Sequence, residues 1–309
     1  FYAESDATLY EHKSGYNTGL DEILEIGKRL DTDGATLKKS RAIVKFDMSE
    51  IESALSKYSI GLSSCKFMLQ LFTSQAKNLP STYTIDAKIL GQTWNNGTGF
   101  LTSDPKVQDG VRWAVPHSTW SLDGQTGTSW ISSSQNIRVN NSSLYISGSG
   151  TGGSWLYQSG SGTFNTSLFN QSFFHQVGLN EQESFSLRTT DIYMDVTDAI
   201  QLWISGSGGF SIDNNGFLMK FSESDESDND KGVISFFSRD THTIYVPRLV
   251  MLFDDSEYDS TLSQVNLDSY AVFTKTKSQY KDTEVTKIRI YARDKFPIKS
   301  PINLFPTQT

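Results

Sequence analysis

Cysteine, clustered basic residues and long apolar runs are all scarce in this chain of 309 residues. Its single cysteine, Cys65, excludes an internal disulfide, and no arrangement of Cys and His has the spacing of a zinc site. Basic residues number 27 against 35 acidic ones, and a net charge of −8 without a basic stripe argues against a nucleic-acid partner. No apolar run approaches the roughly 20 residues that cross a bilayer, so we expect a soluble chain with no membrane partner.

The residues that are abundant favour an all-β fold. Aromatic residues make up 12% of the chain, and 23 glycines and seven prolines supply turns between short strands. The run "RAIVKFD" alternates apolar Ala42, Val44 and Phe46 with polar neighbours, which is typical of a half-buried strand. Further strand-like runs are "CKFMLQLFT", "YTIDAKIL", "GFLMKFS", "GVISFFS" and "IYVPRLVMLFD". The last is apolar on both sides, which predicts a strand inside a β-sandwich.

Two short helices interrupt this pattern. "SEIESALSKY" predicts a helix over residues 50–57, with Ser49 and Glu52 at the spacing of a capping box. "DIYMDVTDAIQLWISG" predicts a strand followed by helical turns that place Trp203 toward a core and stop at Gly206.

Residues 95–180 differ from the rest of the chain because they are rich in Ser, Gly and Asn, which favours turns and predicts an insertion between strands. Disordered linkers are poor in aromatic residues, so we expect the insertion to be ordered at least in patches. It holds four of the six tryptophans: Trp113, Trp120, Trp130 and Trp155. These rings suit stacking on sugar rings, but in an inserted segment they more often form a small core or a subunit contact.

Five motifs follow one another in a characteristic order: "SRAIVKFDMSEI", "TWNNGTG", "DVTDAIQLWISG", "NNGFLMKFSE" and "FFSRDTHTIYVPRLVMLF". In order and spacing they resemble the DNRLRE-type β-sandwich domain, a jelly-roll module related to carbohydrate-binding modules. The opening "DATLYEHKSGYNTGLDEILEIG" and the Trp-containing insertion are similar to the version found in virion structural proteins of large tailed phages, notably marine cyanophages. On this resemblance, residues 1–256 form one antiparallel jelly roll that contains the insertion.

The resemblance also implies that "ILEIGKRL" is a strand, although its apolar period fits a helical face as well. The motif order further predicts which side chains form the core. These are Val44, Phe46, Phe67, Leu69, Met194, Trp203, Met219 and Leu249.

The C-terminal part lies outside this sandwich. After a linker over 257–265, residues 266–309 contain two strand-like runs, 271–275 and 285–293, which cannot bury an apolar side as a pair alone. The pair packs on the first domain, packs on a neighbouring molecule, or begins a second β domain. The resemblance favours the last alternative, because the phage relatives continue into a further β module.

The stretch "FFSRDTHTIYVP" contains the three residue types of a hydrolytic triad, Ser238, Asp240 and His242. On an extended strand all three would point to the same side, with neighbours roughly 7 Å apart. A triad needs its nucleophile and base within hydrogen-bonding distance, and an oxyanion hole beside them. We therefore favour a scaffold role, in which Ser238 and Arg239 satisfy backbone groups at a strand-turn-strand corner.

Other charged residues have both a structural and a chemical interpretation. Arg41 and Asp47 bracket the first core strand and Asp195 opens "DVT", where a buried ion pair or a turn cap is favoured over chemistry. The acidic segment 222–230 carries Asp225, Glu226, Asp228 and Asp230, whose oxygen atoms suit calcium. It lacks the spacing of an EF-hand, so a solvated hairpin tip is favoured.

Two function classes follow. The resemblance implies a non-enzymatic virion protein of a tailed phage, used as a rigid module in a neck, collar, tail or capsid-surface assembly. Its partners would be other virion proteins, in multiple symmetric copies, and it would need no cofactor. The alternative is a carbohydrate-binding module that contacts a host surface polysaccharide. A hydrolase or lyase is disfavoured because no acid/base pair stands out.

Overall fold

The computed structural model describes residues 1–80, 83–117, 119–121, 124–126, 128–132, 135–139, 142–158, 191–205, 212–230, 232–253, 270–275 and 289–294. Its strands are β1 (Ala3–Tyr10), β2 (Ile23–Leu30), β3 (Leu37–Phe46), β4 (Cys65–Leu71), β5 (Thr73–Lys77), β6 (Ile85–Ile89), β7 (Thr119–Ser121), β8 (Gly124–Thr126), β9 (Gln135–Val139), β10 (Ser142–Gly148), β11 (Ser154–Gln158), β12 (Ile192–Asp195), β13 (Phe217–Phe221), β14 (Gly232–Phe237), β15 (Arg248–Phe253), β16 (Tyr270–Lys275) and β17 (Arg289–Asp294).

The strands form antiparallel sheets. A seven-stranded sheet has the order β5-β14-β2-β3-β13-β6, and β1 pairs with β3. A three-stranded sheet has the order β12-β4-β15, and a second has the order β11-β10-β9. The all-β class is therefore confirmed, and the strand assignment of "ILEIGKRL" as β2 is correct. The jelly-roll connectivity stays a prediction.

One hydrophobic core joins the seven-stranded sheet to the sheet β12-β4-β15. All eight side chains predicted for the core are buried in this single cluster. Alternation in β3 points Ala42, Val44 and Phe46 into it, and β4 contributes Phe67 and Leu69 in the same way. The sequence pattern therefore predicted this core correctly.

The opposite face of the seven-stranded sheet is buried as well, so the expectation of a half-buried strand at "RAIVKFD" is wrong. Ile43 of β3 and Leu218 of β13 belong to a second hydrophobic cluster, which includes Trp94, Trp113 and Trp130. The physical reason is that the segment after β6 folds back over this face and supplies the aromatic cover.

Helix α1 (Met48–Tyr58) begins two residues earlier than predicted, and its cap differs from the expected one. The Asp47 side chain accepts a hydrogen bond from the Ser49 amide at 2.9 Å and another from the Ser49 hydroxyl at 2.8 Å. Because Ser49 is bound to Asp47, it does not form the capping box with Glu52, and the carboxylate is the N-cap.

Two further helices follow later in the chain, α2 (Thr197–Ser205) and α3 (Glu223–Ser227). Helix α2 ends at Ser205, next to the predicted stop at Gly206, which itself lies outside the described residues. It buries Trp203, whose ring lies 4.9 Å from that of Phe217. In the parts of the chain that the structure describes, no helix combines the length and the apolar character that a membrane crossing needs.

Strand β15 does not lie inside a sandwich, so that prediction from "IYVPRLVMLFD" is wrong. Ile244 precedes the strand and is exposed, and Leu252 and Phe253 at its end are exposed too. Leu249 is the one side chain of β15 that is fully buried. The strand lies at the edge of its sheet and has one face in the core, which its composition did not reveal.

The chain divides into two compact units, 1–254 and 255–309. The second unit contains the antiparallel pair β16 and β17, in a register that runs from Tyr270 opposite Asp294 to Lys275 opposite Arg289. The predicted linker 257–265 lies outside the described residues.

Replacing Trp203 with Ala is expected to lower the free energy of unfolding by about 3–5 kcal/mol, because a large buried aromatic side chain is lost. Denaturant unfolding monitored by circular dichroism measures this. Tyr58→Ala serves as the control, since its ring is 63% exposed and its removal should cost little. Equal stability of the Trp203 variant and the unmodified protein would contradict the core assignment.

Candidate functional site

The residues of the apparent triad lie in a turn, not on a strand. Strand β14 ends at Phe237, and the Thr241 amide donates to the Ser238 carbonyl at 3.4 Å across the turn that follows. The expectation that Ser238, Asp240 and His242 alternate along one extended strand is therefore wrong. The turn forms because the Ser238 amide already donates to the Glu22 carbonyl at 3.0 Å, and the Asp240 amide donates back to the Ser238 hydroxyl at 3.1 Å.

Ser238 is buried, and its hydroxyl donates to the Asp21 carbonyl at 2.5 Å. His242 is 90% exposed, and its Nε2 atom lies 3.4 Å from a carboxylate oxygen of Glu22. The hydroxyl proton is thus directed at a backbone carbonyl and not at an imidazole, and this geometry does not activate the serine as a nucleophile. Ser238 instead links the turn to the segment before β2.

Asp6 lies beneath this turn, which we call the serine corner (residues 238–241). It is almost fully buried, and its Oδ2 atom accepts a hydrogen bond from the Arg239 amide at 2.7 Å. The Arg239 guanidinium donates to the Glu4 carbonyl. Burial raises the pKa of Asp6 to about 7, although the bond from the Arg239 amide opposes the rise. Raised carboxyl pKa values occur in general acids, but Asp6 is enclosed and already bonded.

A second polar cluster lies on the covered face of the seven-stranded sheet, and we call it the charge layer (Arg41, Lys220, Glu223 and Glu226). The Nε and Nη2 atoms of Arg41 donate to the two carboxylate oxygens of Glu226 at 2.8 and 2.7 Å. The remaining nitrogen, Nη1, donates to the Gly152 carbonyl at 2.6 Å. A two-point contact of this kind is the strongest form of Arg–carboxylate pairing.

Lys220 is completely buried and completes the layer. Its Nζ atom lies 2.9 Å from Glu223 and 3.4 Å from Glu226. Burial opposes the ionisation of Glu226, but the attraction of Arg41 and Lys220 outweighs it, so the pKa of Glu226 lies below its ordinary value. Glu226 is therefore ionised at neutral pH.

Tryptophan rings cover the charge layer. The Arg41 guanidinium lies 5.3 Å from the centre of the Trp113 ring and 5.8 Å from that of Trp155, and Lys220 Nζ lies 5.5 Å from the Trp155 ring. These are cation–π distances. The cations are thus held between carboxylates on one side and rings on the other.

The four tryptophans of the insertion have different environments. Trp113 and Trp130 are buried in the second hydrophobic cluster, and Trp130 Nε1 donates to the Arg112 carbonyl at 3.2 Å. These two rings therefore belong to a small core, and burial leaves them almost no exposed face for stacking on a sugar ring. Trp155 is partly buried. Trp120 lies in β7, and its side chain is outside the described part of the structure.

The acidic segment 222–230 is not a solvated hairpin tip. It contains the short helix α3, capped by Ser222, whose hydroxyl accepts the Asp225 amide at 3.2 Å. Glu226 points inward to Arg41, Asp225 accepts the Thr84 amide at 2.7 Å, and Asp228 pairs with Lys28. Basic residues beneath the segment attract its carboxylates. Within the described ranges, no group of three or more His, Cys, Asp or Glu is placed to hold a metal ion.

Two of the remaining predicted residues bond to the first turn of a helix. Asp47 caps α1, and Asp195 Oδ1 accepts the amide and hydroxyl of Thr197 at 2.9 and 2.5 Å where α2 begins. Arg41 lies in the ion pair described above. The structure does not bring these residues to one site.

Sequence reasoning missed Asn17, which is fully buried. Its Nδ2 atom donates to the carbonyls of Asn96 and Val111, both at 2.7 Å, and its Oδ1 atom accepts the amides of Gly99 at 2.7 Å and Gly19 at 3.2 Å. One side chain therefore ties the loop before β2 to the segment after β6. No local signal marks it, because its partners lie up to 94 residues away.

The burial of Lys220 and Lys88 was not predicted either, although the sequences of their strands carry a weak signal. Each is a lysine that alternates with apolar residues in a strand, and such a pattern is ordinarily assigned to a solvated face. Lys88 Nζ lies 3.4 Å from Asp86, and burial lowers the pKa of Lys88. The cover that buries both lysines cannot be derived from the strand patterns themselves.

Glu226→Gln is expected to destabilise the protein by about 3–5 kcal/mol, because it leaves Arg41 and Lys220 buried without their shared counter-charge. The matched control is Glu223→Gln, which removes another carboxylate from Lys220, but one whose side chain is 69% exposed. The control should change stability by less than about 1 kcal/mol. Urea unfolding of both variants at neutral pH makes the comparison, and equal losses would contradict the assignment.

Asp6 should make stability depend on pH in the direction opposite to that of an ordinary salt-bridged carboxylate. Its folded pKa of about 7 exceeds the ordinary 3.8, so the folded state binds the proton more tightly. The stabilisation that Asp6 contributes is fully present below its ordinary pKa of 3.8 and is lost as the pH rises through its folded pKa of about 7. Asp6→Asn should therefore remove part of the fall in unfolding free energy between pH 4 and pH 7. An unchanged pH profile in urea titrations would contradict the shift.

Comparison of the chain with protein-family models, with curated proteins and with solved structures finds no match.

Proposed function

We propose that the protein is a non-enzymatic structural component of a tailed-phage virion, acting as a rigid module in a neck, collar, tail or capsid-surface assembly. Its partners are other virion proteins, arranged in multiple symmetric copies. The order of the five motifs supports this proposal. The structural observation that supports it most is that the charged and aromatic groups of the two polar clusters are used in internal contacts.

Rigidity is the property that a building block needs, and the contacts of the insertion favour it. Asn17 uses all four hydrogen-bonding positions of its amide to hold the segment after β6. The Nη1 atom of Arg41 donates a hydrogen bond to the carbonyl of Gly152 in the insertion. Segments with buried, fully satisfied hydrogen bonds open rarely, so a module built in this way keeps its surface fixed for assembly.

Under this proposal the protein catalyses no reaction. Ser238 is engaged with a backbone carbonyl, and Asp6 with a backbone amide. Glu226 pairs with three cations, Arg41, Lys220 and Lys39, and its removal would leave Arg41 buried without a counter-charge. None of these groups can exchange its partner for a substrate without first disrupting the fold.

Detection of the protein in purified particles tests the proposal. An antibody raised against the recombinant chain should label virions in electron micrographs at a constant position, and mass spectrometry of gradient-purified particles should find a fixed, multiple copy number. Soluble lysate from the same infection is the control. Recovery of the protein in the lysate alone would contradict a structural role.

Catalysis is tested separately, by incubating the purified protein with ester, peptide and polysaccharide substrates. No turnover is expected. Multiple turnovers that disappear in Ser238→Ala, with the fold preserved, would identify the serine corner as an active site and overturn the non-enzymatic proposal.

A carbohydrate-binding module is the second candidate, and one observation favours it. Tyr2 is 65% exposed and Tyr193 is 44% exposed, and both belong to the outer side of the sheet β12-β4-β15. Exposed aromatic rings on the flat side of a sheet are suited to stacking on sugar rings.

A further inference from the structure

We propose that the outer face of the sheet β12-β4-β15 binds an anionic polysaccharide through one row of side chains, Tyr193, Gln70, Arg248 and Tyr2. We call this set the tyrosine row. The proposal deepens the second candidate function and rests on it. Polysaccharide binding is compatible with a structural role in a virion.

The register of the strands places the four residues in line. Tyr193 of β12 is opposite Gln70 of β4, and Gln70 is opposite Arg248 of β15. Tyr2 continues the line, because it forms an antiparallel bridge with Arg248. Residues directly opposite each other in antiparallel pairs project from the same face of a sheet.

The face in question is the outer one. The neighbours of the row along the three strands, Leu69, Met194 and Leu249, are all buried in the main core. Since successive side chains alternate between faces, the tyrosine row points away from that core. The exposure of Tyr2 and Tyr193 agrees with this direction.

The row has the dimensions of an elongated ligand. Three steps between neighbouring strands separate Tyr193 from Tyr2, which amounts to about 14 Å. An aromatic ring thus stands at each end, and two hydrogen-bonding side chains lie between the rings. Sugar rings offer an apolar face for stacking and hydroxyl groups for hydrogen bonds, so an extended oligosaccharide matches both features of the row.

Arg248 selects for negative charge. Its Nε atom donates to Gln70 Oε1 at 2.9 Å, and its guanidinium lies 4.7 Å from the centre of the Phe72 ring. These contacts fix its orientation, and among the residues that the structure describes no acceptor bonds to either of its Nη atoms. Two parallel N–H groups held in this way fit a carboxylate or sulfate group.

A second cation lies on the same face. Lys66 of β4 is exposed, while Asp195, also exposed and opposite Met68 in the next row, accepts hydrogen bonds from Thr197. Met68 and Val250 lie opposite each other in that row and are only partly buried, so they give the ligand an apolar floor. Arg248 and Lys66 are thus the groups that attract an acidic sugar polymer to a chain whose net charge of −8 otherwise repels it.

Affinity electrophoresis and isothermal titration calorimetry test the proposal with three polymers: polygalacturonate, dextran sulfate and neutral dextran. The two acidic polymers should bind, and the comparison between them distinguishes carboxylate from sulfate recognition. Neutral dextran should bind at least about tenfold more weakly, since it lacks the charge-assisted bonds to Arg248.

Substitutions locate the binding. Tyr193→Ala and Tyr2→Ala should each weaken binding of the acidic polymers by about tenfold, whereas Tyr193→Phe, which keeps the ring, should not. Arg248→Gln should abolish the preference for acidic over neutral polymer. The matched control is Tyr58→Ala, because Tyr58 is 63% exposed but lies on α1 and does not belong to the row. Melting temperatures of all variants establish that each one is folded.

Three results would overturn the proposal. The first is no binding of either acidic polymer by the unmodified protein. The second is binding by Tyr193→Ala and Arg248→Gln that equals binding by the unmodified protein. The third is a self-association, measured by sedimentation velocity, that the row substitutions abolish while no polymer binds, which would assign this face to contacts between copies. Incorporation of the same variants into virions is scored separately, so a failure of polymer binding is distinguishable from a failure of the assembly role.

Discussion

Burial of the seven-stranded sheet on both faces is the constraint on which the rest of the structure depends. On one face alternation supplies only apolar side chains, and the core forms as in any sandwich. The other face combines Ile43 and Leu218 with Arg41 and Lys220. An unpaired buried charge costs several kcal/mol, so the cover of this face must bring a carboxylate with it. Glu226 of α3 meets that requirement, and Trp113 and Trp155 fill the space around it.

This constraint explains how the Ser- and Gly-rich segment around Trp113 and Trp155 packs on the sheet. Its glycines permit close approach where side chains would collide. At Gly152, with φ +69°, a Cβ atom would lie 2.7 Å from the Trp113 ring, and the carbonyl of the same residue accepts Arg41. The insertion therefore contributes two tryptophans and a carbonyl to one charged side chain. Serine and glycine are abundant around these contacts because the chain must turn sharply between them.

The eight core side chains follow from the order of the motifs, and the all-β class follows from the composition and the strand-like runs, all of which are visible in the sequence. A small tryptophan core was one of the expected alternatives for the insertion. Its place on the seven-stranded sheet was not predicted, since the alternation in β3 cannot reveal that a segment 50 or more residues later covers the opposite side. The N-cap of α1 was misplaced by two residues because Asp47 and Ser49 are both good caps. The tyrosine row was invisible as well, because its members come from four distant segments and only the strand register brings them together. At the serine corner the expected extended strand is a turn, because Ser238 bonds to the segment before β2, more than 200 residues earlier in the chain.

Asn17 shows what complete satisfaction of a buried amide implies for the lifetime of the protein. Both of its amide hydrogens meet carbonyl oxygens, those of Asn96 and Val111. Deamidation, the slow chemical ageing of asparagine, would replace that nitrogen with oxygen and set lone pairs against lone pairs at 2.7 Å. The change adds almost no volume, yet it would turn two attractions into repulsions and bury a charge with no cation bonded to it. A single aged side chain would thus release the loop before β2 from the segment after β6, and a stored preparation of the protein would lose this tie one molecule at a time.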